Sequence, residues 1–317
     1  ESNNEYWLEK DAKLRTDFNI TTGFQTDDIP RIKFKSKMKE YYEKAGLTVA
    51  RYHLVDDLEG CRAFIEKVGY PVVAKPDNGV GASHNFKIKN DAELESFYGQ
   101  RHEGVVYIME EFVNGIVNSY DAIIDSKGEI MFETGNISLG SIMDIVNEKQ
   151  NSKFYILKEL PEDTRKAGRD TVKAFGVKSR FVHFEFFRLL EDQEGLGKKG
   201  DIMALEVNMR PSGGVSPDMI NFAHNTDVYK IWADMVAFDY STKPEGAHTY
   251  CGFIGLRDGK PFAMTHEDIM EKYSGQIKMS ERVPDALSGA MGNQMYLATF
   301  PTEEELMAFY DDISREI

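Results

Sequence analysis

A chain of 317 residues has room for two or three domains or subdomains at roughly 100–200 residues each. Its composition, 41% hydrophobic and 29% charged, is that of a folded globular protein and excludes a disordered one. With 38 Lys and Arg against 53 Asp and Glu, the net charge of −15 has the wrong sign for a general nucleic-acid binder, so an anionic ligand must be held by local cations, backbone N–H groups or metal ions.

Residues 1–34 are polar, with a helix expected over 6–18 and a turn-rich stretch after it. A helix is predicted over 36–45, stopped by Gly46. A second spans 57–68, where Leu58, Cys61, Phe64, Ile65 and Val68 recur at helical spacing. A short buried strand at 70–75 runs into the Gly-rich stretch 77–83, and another strand follows at 86–89. A capped helix over 90–98 and a strand over 105–112 come next. Strands at 119–125 and 129–134 flank Ser126-Lys127-Gly128 as a β-hairpin. Then come a helix over 161–175, strands over 180–190 and 202–207, and a helix from Ser216-Pro217 toward Ala237. Thr302 and Glu305 form a capping-box pattern before a helix over 306–313. Helices alternate with strands and hairpins, so the fold class is α+β with mostly antiparallel or mixed sheets.

Cys61 and Cys251 are too few for a disulfide scaffold or a cysteine zinc site, which makes a reducing, cytoplasmic setting the expectation. No apolar run approaches the ~20 residues of a membrane span, and the start does not read as a signal peptide.

Three segments carry chemistry. In the first, strand 70–75 ends in Lys75 and opens into Gly79, Gly81, Ala82 and Ser83. Glycines allow a tight turn whose N–H groups cradle phosphate oxygens, with Lys75 as a point charge; the alternative is a plain hairpin loop. It is neither a Walker A nor a Rossmann pattern. In the second, Glu110 and Glu111 interrupt an apolar strand that exits through Phe112, Val113 and Gly115. That reads either as a hinge for a purine edge or as an edge strand with two solvated acids. The third is the pair Phe181-Val-His-Phe-Glu-Phe-Phe187 and Ala204-Leu-Glu-Val-Asn-Met-Arg210, with Pro-Ser-Gly-Gly214 following. His183 and Glu185 share one strand face, as do Glu206, Asn208 and Arg210. Acids in such apolar company need a partner. Glu185, Glu206 and Asn208 make an oxygen-rich set suited to Mg²⁺, and the competing reading is a salt bridge to Arg210.

These segments, in this order, resemble the ATP-grasp superfamily from about residue 35 to residue 232. Lys35 precedes Gly46 by eleven residues and looks like the first triphosphate-binding lysine. Lys37 and Lys39 are expected to be solvated. The resemblance implies an ATP-grasp fold, with a residual segment at 1–34, an N-subdomain with the glycine loop at 35–112, and a C-subdomain with the metal site at 113–317. It implies that Lys75 is the second phosphate lysine, that Gly79, Gly81, Ala82 and Ser83 close over the phosphates, and that Glu110, Glu111, Phe112 and Val113 form the adenine hinge. Leu205 would lie against the purine, Glu185, Glu206 and Asn208 would hold Mg²⁺ (or Mn²⁺), and His183 and Arg210 would contact the transferred phosphoryl group or the acyl phosphate.

Two departures stand out. Val117 occupies the position where the family usually has a ribose-binding glutamate, with Asp121 or a backbone group as a substitute. Only 34 residues precede Lys35, where many members carry an α/β domain, so a truncated chain or a separately supplied domain is expected. The implied activity is activation of a small-molecule carboxylate as an acyl phosphate for attack by an amine. The ending of the third segment is similar to carboxylate–amine ligases, which are commonly dimers. The alternatives are a bicarbonate-activating, carbamoyl-phosphate-type enzyme and a non-catalytic ATP-binding module. His224, among apolar residues, reads as a packed core histidine.

Overall fold

The computed structural model describes residues 2, 4–79, 85–140, 150–242 and 247–317. Its strands are β1 Thr48–Val49, β2 Tyr52–Leu54, β3 Val72–Pro76, β4 Phe86–Ile88, β5 Tyr107–Glu111, β6 Gly115–Ile124, β7 Ile130–Thr134, β8 Asn136–Ser138, β9 Ser152–Ile156, β10 Arg180–Leu189, β11 Ile202–Asn208, β12 Tyr250–Leu256, β13 Ile277–Arg282 and β14 Gln294–Phe300.

Strict alternation along β10 sets the centre of the molecule. Val182, Phe184 and Phe186 point into a core with Tyr42 and Phe175, while Phe181, His183, Glu185 and Phe187 line the opposite, cavity side. β10 lies between β11 and β6 in a large sheet ordered β1-β11-β10-β6-β8-β9-β12-β14-β13, with β7 paired to β6. Every pairing in it is antiparallel except β1 with β11. A second, antiparallel sheet is ordered β2-β5-β3-β4 and keeps its own core of Cys61, Phe64, Leu94, Phe97 and Tyr107. The fold class is therefore α+β, as expected.

Local chemistry explains the boundaries. Asp57 accepts from the Gly60 N–H to cap helix Leu58–Val68, and Asn90 caps Asp91–Gln100 through Glu93. Gly46 takes φ +76° just past helix Lys35–Lys44. Helix Glu162–Phe175 carries Gly168 because the Tyr120 ring lies where a Cβ would be, 2.1 Å away.

The expected helix from Ser216 toward Ala237 is two helices, Ser216–His224 and Val228–Phe238. Asn225 is left-handed at φ +46° and Asp227 accepts from the Lys230 N–H, so a C-terminal stop and a new N-cap fall within three residues. Strands β12 and β14 escaped the sequence reading because helices cover both of their faces. Ile254, Tyr296 and Ala298 pack with Leu306 and Phe309, whereas Cys251, Phe253 and Leu297 pack with Met219 and Ile220. Strands buried on both sides show no polar alternation. Among the described residues, no helix is long and apolar enough to cross a membrane.

Candidate functional site

A cavity of about 1710 Å³ lies between the two sheets. On the small-sheet side, Val73 of β3 is registered against Glu110 of β5, which brings Lys75 and Glu110 together. Lys75 Nζ lies 2.6 Å from Glu110 Oε2, and Lys39 Nζ lies 2.6 Å from Glu110 Oε1. All three are buried. Burial by itself would raise the Glu110 carboxyl, but the two ammonium groups outweigh it and hold the acid down to about 2.

Lys39 is thus not solvated, contrary to the sequence expectation. It sits four residues from Lys35 on the buried face of its helix and also donates to the Ala50 carbonyl at 3.2 Å. Lys37, on the other face, pairs with Glu40 in solvent, as expected. Lys39→Met should therefore lower unfolding stability by about 3 kcal/mol, while Lys37→Met, at an exposed pair, should leave the urea midpoint essentially unchanged. Urea denaturation of the two variants compares them directly.

The edge-strand reading of Glu110 and Glu111 fails. β5 is an interior strand and both acids are buried. Glu111 accepts from the Arg51 backbone N–H at 2.6 Å and from its guanidinium at 2.9 and 2.6 Å. Phe112 carries the Lys87 ammonium 4.0 Å from its ring centroid, and Val113 is buried. Gln193, which sequence reasoning missed, braces this exit by donating to the Phe112 carbonyl and accepting from the Asn114 N–H. Gly79 presents its carbonyl to Lys35 Nζ at 2.8 Å. Gly81, Ala82 and Ser83 lie outside the described residues.

On the large-sheet side, Glu185 and Glu206 stand directly opposite each other in the β10–β11 register, with His183 opposite Asn208. A β-bulge between Ala204 and Glu206 leaves Leu205 as the extra residue, so Leu205 and Glu206 both line the cavity although simple alternation would part them. Like charges across a strand pair repel unless cations intervene. Lys35 Nζ lies 3.0 Å from Glu206, and His183 Nε2 lies 3.2 Å from Glu185. The competing reading, Arg210 as the partner of these acids, is not what forms. Arg210 donates to Asn208 Oδ1 at 3.3 Å and to Glu5 Oε2 at 3.5 Å.

Asp121 has no place on the cavity wall as a substitute for the ribose-binding glutamate. It is fully buried beneath His183, whose Nδ1 is 2.8 Å away, and Ser119 donates to its other oxygen. Burial opposes protonation of His183, but Asp121 and then Glu185 override it and raise the imidazole to about 10. Val117 lines the cavity opposite Phe187 of β10. His224 is a core histidine, 2.7 Å from the Thr134 hydroxyl and lowered to about 4 by burial and then His248.

Glu185, Glu206 and Asn208 form an oxygen-only donor set on facing strands, which fits a hard divalent ion. Glu5, Lys39, Arg51, Asp121 and Gln193 complete the charge and hydrogen-bond framework. Of these, the sequence reading takes Asp121 only as a ribose contact and Lys39 only as a solvated residue, although the i,i+4 relation of Lys39 to Lys35 is a legible signal.

Comparison with known proteins agrees with this architecture. No family model matches. The large chain of carbamoyl phosphate synthase from Methanothermobacter thermautotrophicus is 22% identical over 197 residues, 60% of this chain and 18% of that protein. The chain spans about a fifth of the length of the curated relatives it matches. The crystal structure of an L-amino acid ligase from Bacillus licheniformis superposes with a TM-score of 0.71 at 18% identity, covering 98% of this chain and 77% of that one. The biotin carboxylase domain of Hydrogenobacter thermophilus 2-oxoglutarate carboxylase, solved with MgADP, ADP and bicarbonate, gives 0.66 at 14% identity over 94% of this chain and 69% of that one. The chain has the ATP-grasp fold.

Proposed function

We propose that this protein is an ATP- and Mg²⁺-dependent ligase that activates a substrate carboxylate as an acyl phosphate, which an amine then opens to an amide with release of ADP and phosphate. The observation that carries this reading is the meeting, in one cavity, of Lys35 and Lys75 with the Glu185, Glu206, Asn208 donor set and Arg210.

Lys35 and Lys75 take the triphosphate, exchanging the Glu206 and Glu110 carboxylates for phosphate oxygens. Glu110 keeps Lys39 in that exchange, so it does not become an unpaired buried acid. The backbone from Glu110 to Val113, with Leu205, receives the adenine. Gly79, whose carbonyl already holds Lys35, opens the stretch assigned to the phosphates, where exclusion of water would protect the acyl phosphate from hydrolysis. A Mg²⁺ held by Glu185, Glu206 and Asn208, or Mn²⁺ on the same donors, would neutralise charge on the phosphate oxygens. His183, fixed by Asp121, and Arg210 face the transferred phosphoryl group and supply preorganised positive charge.

β10 orders the cavity. At roughly 3.3 Å per residue, Phe181 lies about 13 Å along the strand from Glu185. Phe181 packs edge-on against Trp232, ring centroids 5.6 Å apart, and Phe154 and Met291 line the same cavity. This end of the cavity is apolar and aromatic, which suits an organic substrate group. ADP release with Mg²⁺-ATP, against amino acids offered singly and in pairs with and without bicarbonate, tests the reading. Release that requires two organic partners is the expected result. Bicarbonate-dependent release would move the assignment to the carboxylases, and nucleotide binding without turnover would leave an ATP-binding module.

A further inference from the structure

Glu5 is a cavity acid to which this mechanism gives no task. It opens helix Glu5–Asp17, which is fastened to the large-sheet core by Leu8 and Ala12, 3% and 0% exposed. The Asn4 side chain caps that helix through the Tyr6 N–H, and Asn4 and Glu5 both line the cavity. Glu5 is 7% exposed, yet its Arg210 contact is 3.5 Å, against 2.6 Å for Glu110 with Lys39 and Lys75 and 3.0 Å for Glu206 with Lys35. The acid is therefore buried with a loose partner. Because its helix is part of the core, it is a fixed part of the wall and not a displaceable plug.

In the proposed reaction Arg210 faces the transferred phosphoryl group, and so the acyl phosphate that forms from it. Once engaged there, it compensates Glu5 less, and the other cation that Glu5 feels, Lys35, is already paired with Glu206, so the buried carboxylate is left under-compensated, which is costly. A cation arriving next to the acyl carbon restores the balance, and the second substrate brings one. We propose that Glu5 anchors the ammonium group of the amine substrate, a primary amine such as the α-amino group of an amino acid, beside the acyl phosphate held by Arg210. This rests on the carboxylate–amine reading above.

Attack requires the neutral amine, so one N–H proton passes to the Glu5 carboxylate. The C–N bond forms as the acyl C–O bond to phosphate breaks, the electron pair leaves with the phosphate, and the second amine proton goes to that phosphate.

Hydroxylamine separates the two halves of the reaction, since it is uncharged at neutral pH and traps an acyl phosphate without an ammonium anchor. The enzyme is given Mg²⁺-ATP and an equimolar mixture of the twenty protein amino acids, with and without hydroxylamine, and hydroxamates and dipeptides are quantified by mass spectrometry. Glu5→Gln should lower the dipeptide-to-hydroxamate ratio by about ten- to a hundredfold, the worth of a hydrogen bond to a charged group. Glu5→Asp, which keeps the charge on a shorter arm, should fall between; if Glu5→Gln does not fold, Glu5→Asp alone reads the effect. An unchanged ratio, or equal loss of both products, would overturn the assignment, the latter by making Glu5 a mere support for Arg210. A wild-type enzyme that forms neither product would overturn the ligase reading itself.

Discussion

Glu206→Gln is expected to lower Mg²⁺-ATP-dependent ADP release by on the order of 10²–10³-fold while the protein stays folded. The substitution exchanges a carboxylate oxygen for a neutral amide in the donor set it shares with Glu185 and Asn208, directly across from Glu185. It also removes the ion pair with Lys35, but Lys35 keeps the Gly79 carbonyl at 2.8 Å, so the lysine is not abandoned in the interior. The stability cost should therefore be modest, about 1 kcal/mol. Steady-state kcat/KM over a Mg²⁺ titration, alongside urea denaturation, gives both quantities. Turnover within threefold of wild type at ordinary Mg²⁺ would remove Glu206 from the donor set.

The opposite balance is expected at Glu110, where stability dominates. Glu110→Gln leaves Lys39 and Lys75 buried beside each other with no carboxylate between them, a loss of about 3–5 kcal/mol. The pH dependence has a definite sign. The folded-state Glu110 titrates near 2, below its ordinary 4.5, so its contribution is full above 4.5 and is lost as pH falls toward 2. The stability gap between wild type and Glu110→Gln should thus be widest near pH 7 and should narrow through that window in urea melts. A gap below about 1 kcal/mol at pH 7 would mean that the three-residue clamp is not what holds the small sheet to the helix bearing Lys39.

Local patterns carried much of the fold. Caps at Asp57, Asn90 and Thr302, the left-handed Gly46 and the alternation of β10 all follow from nearest-neighbour chemistry, and the corresponding elements formed where expected. The break at Asn225 was legible too, since Asn followed by Asp227 pairs a left-handed stop with an N-cap, but the apolar periodicity on both sides masked it. Strands β12 and β14 left no signal, because burial on both faces erases alternation.

The sequence by itself determined which residue types were available to a phosphate- and metal-binding site and, away from the bulge at Leu205, on which strand face each would stand, since side-chain direction along a regular strand is a property of the local backbone. Only the tertiary structure decided who pairs with whom. Lys35 reaches Gly79 across 44 residues, Arg51 reaches Glu111 across 60, and Arg210 meets Glu5 across 205. Such pairings depend on two sheets closing on one cavity and on which charges lose their water there. No periodicity encodes that loss, so Lys39 and Lys37, identical in type and two residues apart, end as a buried clamp and a solvated surface group.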